Sequence, residues 1–189
     1  MKIENVQVYG LNESIRRAKF PMSVDTSSLN CDLTKGVTAL ANSKSGEGHD
    51  NWLNGVVVQF DVTGTLKWWT EAQRYHFLDF VSSQSTMHRI CKFDIEEQCN
   101  DYVCGETINL LNDLVEYYVN DPTPENYLRV LYNIPTGFQL TAGMTTNYRQ
   151  LKTIYKQRKN HRLQEWKDFC KWIESLPHSE LIVSDMSGE

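Results

Sequence analysis

The apolar residues of this chain change period several times, and each change predicts an element. In "KIENVQVYG" Ile3, Gln7 and Tyr9 alternate against Val6 and Val8, which predicts a first strand ending at Gly10. "LNESIRRAKF" then predicts a short helix with Asn12 as its N-cap, stopped by Pro21. Residues 23–45 are rich in Ser, Thr, Asn and Asp and read as a surface or functional loop, with one short helix around "GVTALANS". "GVVVQFDVTG" is dense in valine and bounded by Gly55 and Gly64, so it reads as a strand. "LKWWTEAQRYHFLDFV" reads as a helix from the spacing of Leu66, Trp69, Ala72 and Phe80.

"EEQCNDYVCGETINLLNDLVEYYVN" carries Ile108, Leu111, Leu114, Val115 and Tyr118 at helical spacing, and Asp121-Pro122 ends it. "PENYLRVLYNI" predicts another helix with Pro124 in its first turn, and "NIPTGFQLTAGMTT" a turn followed by an extended piece. A last helix or helix pair is expected over 147–175, with "SELIVSDMSGE" as a frayed tail. The sum is a single α+β domain over 1–183 with a disordered tail at 184–189.

At 189 residues the chain is long enough to bury a core without staples. No run approaches the ~20 apolar residues of a membrane span, and the N-terminus lacks a signal peptide's apolar stretch, so no membrane partner and a cytoplasmic location are expected. Five cysteines, irregularly spaced and without a CxxC pair, suggest reduced thiols rather than a disulfide framework or a zinc site. The formal net charge of −5 makes non-specific duplex binding a poor expectation, because that binding rests on neutralising phosphates.

Against that negative total, residues 145–166 hold Arg149, Lys152, Lys156, Arg158, Lys159 and Arg162, six of the 19 basic residues. On a helix, Leu151, Ile154, Tyr155 and Arg158 share a face, which turns Arg158 inward and leaves Lys152, Lys156 and Lys159 outside as solubilising charge. A guanidinium aimed at the core needs an anion, either a protein carboxylate such as Glu165 or a ligand phosphate. Asn147 and Arg149 stand at the helix N-terminus, where free backbone N–H groups also favour negative charge. Both explanations of Arg158 remain open on this reasoning.

Other chemistry is scarce. The five histidines lack metal-site spacing, so no metal is expected. "SSQS" is no nucleophile elbow, and neither GxGxxG nor a P-loop occurs, so a nucleotide would be held by scattered residues. Cys91 beside Lys92 is the one cysteine with an activating neighbour in sequence.

"TTNYRQLKTIYKQR" resembles the C-terminal signature of the flavin-dependent thymidylate synthases, T-x-N-x-R-x-L-x-x-x-x-x-x-R, matched at Thr145, Asn147, Arg149, Leu151 and Arg158. Pro135 after Ile134 occupies the place of that family's Leu-Pro turn. "GHDNWLNGVVVQFDVTGTL" is similar to its Gly-His segment, short helix and strand, with His49 in register and Asn54 in place of a glutamate. "EAQRYHFLDFVSSQSTMHR" takes the position of its Arg-His-Arg motif and downstream serine. With His76 on the motif histidine, Ser85 falls on the active-site serine, Tyr75 and Phe77 replace two arginines, and Ser83 replaces a glutamate. A one-residue shift restores Arg74 instead.

The resemblance implies a central, mostly antiparallel sheet and methylation of dUMP to dTMP with methylenetetrahydrofolate and reduced FAD, with NADPH as co-substrate. It implies Ser85 and Arg158 as catalytic, and His49, His76, Asn147 and Arg149 at the cofactor. It places Arg74, Ser83, Gln84, Ser85 and Arg158 at the deoxyuridine nucleotide, in a homotetramer with sites at subunit contacts. Such short divergent chains also resemble phage or mobile-element proteins. No protein nucleophile is needed, in keeping with the cysteines and unlike classical thymidylate synthases. Where two arginines are absent, Tyr75, Phe77, Trp68 or Trp69 could stack on a ring instead. The alternatives are a catalytically altered or inactive homologue that binds a pyrimidine nucleotide, and an interaction protein without a ligand.

Overall fold

The computed structural model describes residues 1–44 and 46–183. It is α+β, built on one four-stranded antiparallel sheet of order β1-β2-β4-β3. The strands are β1 (Lys2–Tyr9), β2 (Val57–Thr65), β3 (Asp79–Ser83) and β4 (Gln139–Asn147). The valine-rich β2 and β4 form the centre and pair without interruption from Val57↔Asn147 to Thr65↔Gln139.

Alternation along the central strands makes the sheet two-faced. Val58, Phe60 and Val62 of β2, with Leu140, Ala142 and Met144 of β4, are buried on one face. Gln59, Asp61, Thr63, Thr141, Gly143 and Thr145 take the other, which is exposed or half-buried. In β1 the simple alternation fails. The register shifts between Glu4 and Gln7, and Asn5 adopts φ 52°. This bulge brings Ile3 to the same side as Val6 and Val8, so all three pack on the core. Asn5 Nδ2 donates to Asp61 Oδ2 at 2.7 Å and holds the bulge against β2.

The helices are α1 (Leu11–Ala18), α2 (Lys35–Ala41), α3 (Leu66–Ala72), α4 (Thr86–Arg89), α5 (Ile95–Gln98), α6 (Gly105–Asn120), α7 (Pro124–Tyr132), α8 (Tyr148–Arg158) and α9 (Gln164–Glu174). The N-cap of α1 is Gly10 rather than Asn12. Gly10 has φ 72°, and a Cβ there would stand 2.5 Å from the Gly55 carbonyl oxygen, so only glycine admits this approach of chain to chain.

The predicted helix over 66–81 is really α3 followed by a turn and β3. Trp68, Trp69 and Ala72 bury on the helix, while Phe80 pairs with Met144 in the sheet. The apolar spacing fits both periods, and pairing with β4 decides in favour of strand. Likewise the predicted helix over 96–120 is split into α5 and α6 by a turn at Cys99–Cys104, where Cys99 bridges to Phe138. The expected frayed tail is partly ordered: Ser179–Leu181 form a 3-10 turn and Leu181 and Ile182 are buried. Residues 184–189 lie outside the described residues.

α9 covers the apolar face of the sheet through aromatic contacts. Phe60 lies 4.5 Å from Trp172 and 5.9 Å from Phe169, and Trp68 lies 5.2 Å from Trp166, ring centre to ring centre. Thr65 donates from its backbone N and its hydroxyl to Glu165 at 2.8 and 2.6 Å, tying the start of α9 to the start of α3. Truncating one of the buried rings Phe60, Trp68, Trp166 or Phe169 to alanine should cost about 3–5 kcal/mol. No helix among the described residues is long and apolar enough to cross a membrane.

Candidate functional site

α8 leaves the end of β4 directly. Asn147 ends the strand and its Oδ1 accepts from Gln150 N at 2.9 Å, the N-cap that Asn provides best. The helix is further fixed by Tyr148, whose N donates to Val56 O and whose hydroxyl donates to the Pro177 carbonyl. Leu151 and Ile154 bury beneath it.

The side of α8 away from the core forms one wall of a groove of about 510 Å³. Asn147, Arg149, Lys152 and Lys156 line this wall. Asp50, Asn54 and Phe77 also line the groove. Asp50 is buried, and its two oxygens accept from Arg149 Nε at 3.2 Å and from Lys152 Nζ at 2.8 Å. Lys152 Nζ also donates to the carbonyls of Ala41 and Ser43, so it fixes the end of α2 to α8. Lys152 is therefore no solubilising charge. Three cations face one carboxylate, and among the described residues Lys156 has no carboxylate partner. The groove has an excess of positive charge in a protein of net charge −5.

Arg158 stands elsewhere. Its guanidinium faces inward as expected, but its anion is Glu71, at 3.2 Å, and not Glu165. Arg158 Nε donates to Tyr75 Oη at 2.7 Å, and its charge lies 4.7 Å from the ring centre of Trp166. Glu71 accepts further from Trp166 Nε1 at 2.9 Å and pairs with Lys67 at 3.2 Å, with His161 Nε2 at 3.6 Å. Burial pushes the Glu71 carboxyl up, but the hydrogen bonds of Trp166 and Lys67 and the charges of Lys67 and His161 outweigh it and hold it below its ordinary range. Asn147 and Arg149 therefore do not share the inward face of Arg158. Nine residues at about 100° each put the two arginines about half a turn apart on the helix.

The other candidates are scattered around these two centres. His49 and His76 are exposed neighbours in sequence of Asp50 and Phe77, outside the groove lining. Arg74 is exposed after α3. Ser83 ends β3 on the surface. Gln84 extends the sheet, its N donating to Thr141 O at 2.9 Å and its Oε1 accepting from Thr141 N at 2.8 Å. Ser85 holds the N-cap position of α4 without spending its hydroxyl on the cap.

Asp50, Gln150, Lys152, Thr153, Lys156 and Gln157 are groove residues that the chain's motifs did not single out for it, whereas Phe77 is one of the four stacking candidates. A signal existed for the lysines: positions 149, 152, 153 and 156 form their own i, i+3, i+4, i+7 stripe. Cys91 gives no activated thiol, since burial pushes its pKa up despite Lys92. All five cysteines are free, and burial with the Glu174 charge pushes Cys170 up to about 11 against the lowering charge of Arg158. Among the described residues no cluster of His, Cys, Asp and Glu is placed to hold a metal ion.

Sheet and helices together define a fold of the flavin-dependent thymidylate synthase kind. It is shared with a crystal structure of thymidylate synthase X from Helicobacter pylori with FAD and dUMP, at TM-score 0.77 and 16% identity over 97% of this chain and 98% of that one. A second structure of the Helicobacter pylori enzyme complexed with FAD and dUMP matches at TM-score 0.71, with the same identity and coverage. No protein-family profile and no curated protein matches the sequence.

Proposed function

We propose that this chain binds a flavin nucleotide and a deoxyuridine nucleotide and acts as a flavin-dependent thymidylate synthase-like protein. The observation that carries this reading is the placement of Asn147 and Arg149, the matched signature residues, on a cationic groove of a fold shared with FAD- and dUMP-containing structures. The residues present suit a flavin: Arg149 and Lys156 for its phosphates, Asn147, Gln150 and Gln157 for polar edges, and Phe77 as an apolar surface. In the proposed reaction FAD supplies the reducing chemistry, methylenetetrahydrofolate the carbon, and NADPH the electrons.

The chain's own tasks are orientation and electrostatics. His49 and His76, next in sequence to the groove residues Asp50 and Phe77, would serve the cofactor. Ser85, with its hydroxyl unspent on capping, bonds the nucleotide, and Arg74, Ser83 and Gln84 complete that side. Arg158 anchors the nucleotide by exchanging Glu71 for a phosphate, since both are anions that a guanidinium can grip in pairs of bonds. Because Arg149 and Arg158 face opposite ways, a site using both is completed across a subunit contact, in keeping with a homotetramer.

The test is the visible spectrum of the purified protein with FAD, before and after dUMP. A flavin band that shifts on nucleotide addition and is lost in Arg149→Ala, with the variant still folded, supports the reading. A protein that takes up no flavin sinks it. A second reading, nucleotide binding without turnover, is favoured by the Glu71–Arg158 pair and by Tyr75 and Phe77 in place of arginines; dUMP would then raise the Tm of a colourless protein.

A further inference from the structure

We propose that Phe77 is the stacking surface for the planar ring of a phosphorylated ligand in the groove, while Lys156 and Arg149 take the anionic group. This deepens the reading above by giving the same groove a ring-recognising side chain. Four aromatic residues were candidates for stacking. Trp68 and Trp69 are core residues, and Tyr75 is committed to Arg158 and Gln157. Phe77 alone of the four lines the groove, and it leaves 59% of its surface exposed.

Its backbone is the second observation. Phe77 has φ 61°, a left-handed conformation that bulky side chains rarely adopt. Such strain persists where neighbours over-determine it and gathers at ligand sites. Here the neighbours are identifiable: Tyr75 Oη donates to Gln157 Oε1 at 2.9 Å on one side, and Leu78 is buried on the other. The turn is tied to α8 at its Tyr75 end and anchored in the core at Leu78, and its middle holds an apolar ring beside the groove's cations. The ring is only partly covered, with the His76 ring 5.4 Å away centre to centre, so packing in the protein core does not explain that position. A bare anion would satisfy the groove's cations but leave the ring in water. A ligand carrying both a phosphate and a planar heterocycle satisfies both.

The test uses the full chain and three probes, FMN, dUMP and inorganic pyrophosphate, titrated into wild type, Phe77→Gly, Phe77→Tyr and Lys156→Ala. Glycine accepts the backbone conformation, so Phe77→Gly keeps its fold and its Tm does not fall. Its affinity for the ring-bearing probe falls about tenfold or more, while pyrophosphate binding stays within about twofold. Phe77→Tyr restores the ring-bearing probe, and Lys156→Ala weakens every probe that binds. If FMN fails to bind but dUMP shows this dependence on Phe77, the stacking assignment stands, and the FAD spectrum described above decides the flavin reading separately. Ring-bearing probes that bind Phe77→Gly as tightly as wild type overturn the proposal. So does a wild-type protein that binds none of the three.

Discussion

Arg149 and Arg158 leave α8 on opposite sides, each 3.2 Å from a carboxylate, Asp50 on the groove side and Glu71 on the core side. One helix thus carries two charge centres with different surroundings. Asp50 is shared by two cations and leaves the groove positive. Glu71 is surrounded by Arg158, Lys67, His161 and the Trp166 indole, which consume its charge inside the fold.

Breaking the inner centre should destabilise the protein. Glu71 and Arg158 side chains each retain 17% of their exposure. Removing one partner of such a pair strands the other, and Glu71→Ala is expected to cost about 2–4 kcal/mol. A double-mutant cycle with Arg158→Met in urea denaturation should recover part of that loss in the double variant. Additive losses would show that the two residues do not act as a unit.

The same centre predicts an acid sensitivity. The Glu71 carboxyl is held below its ordinary value of 4.5 in the folded chain, so folding favours its charged form. Its stabilisation is complete above that value and is lost as the pH falls through the lower folded-state value. Between pH 6 and pH 3, Glu71→Gln should therefore lose less stability than wild type. Parallel Tm curves for the two proteins would contradict this.

Lys152 joins three acceptors that are distant from it in sequence. Lys152→Met keeps the stem but leaves Asp50 to Arg149 alone and frees the Ala41 and Ser43 carbonyls, a loss of about 1–3 kcal/mol. Hydrogen exchange should rise at 41–44 and at the start of α8, and remain unchanged in α6 and α7. Uniform loss of protection would mean that the contact supports the whole fold.

The thiols should separate by reactivity. Burial pushes Cys91, Cys99 and Cys170 up, the last to about 11, whereas Cys104 is exposed. At pH 8 a thiol reagent should modify Cys104 first and Cys170 only on unfolding. Rapid labelling of Cys170 in the native protein would place it outside the core described above.

The local patterns determined much of this protein. The valine-dense run of β2, the proline at the start of α7, the Asn147 cap and the buried stripe of α8 are each written within a few residues, because caps and periodicity act over one or two turns. The chain's order of signature residues likewise carried the fold, since it holds across nearly the whole length. Tertiary structure decided the rest. Only pairing with β4 turns Phe80 from a helical position into a strand position, and only the bulge at Asn5 brings Ile3 to the core. The partner of Arg158 could not be read from sequence, because the nearby Glu165 turns to Thr65 while packing alone brings Glu71, 87 residues away, to the guanidinium. Lys152 looked like a solvated charge for the same reason: its acceptors lie more than a hundred residues away, where helical periodicity says nothing.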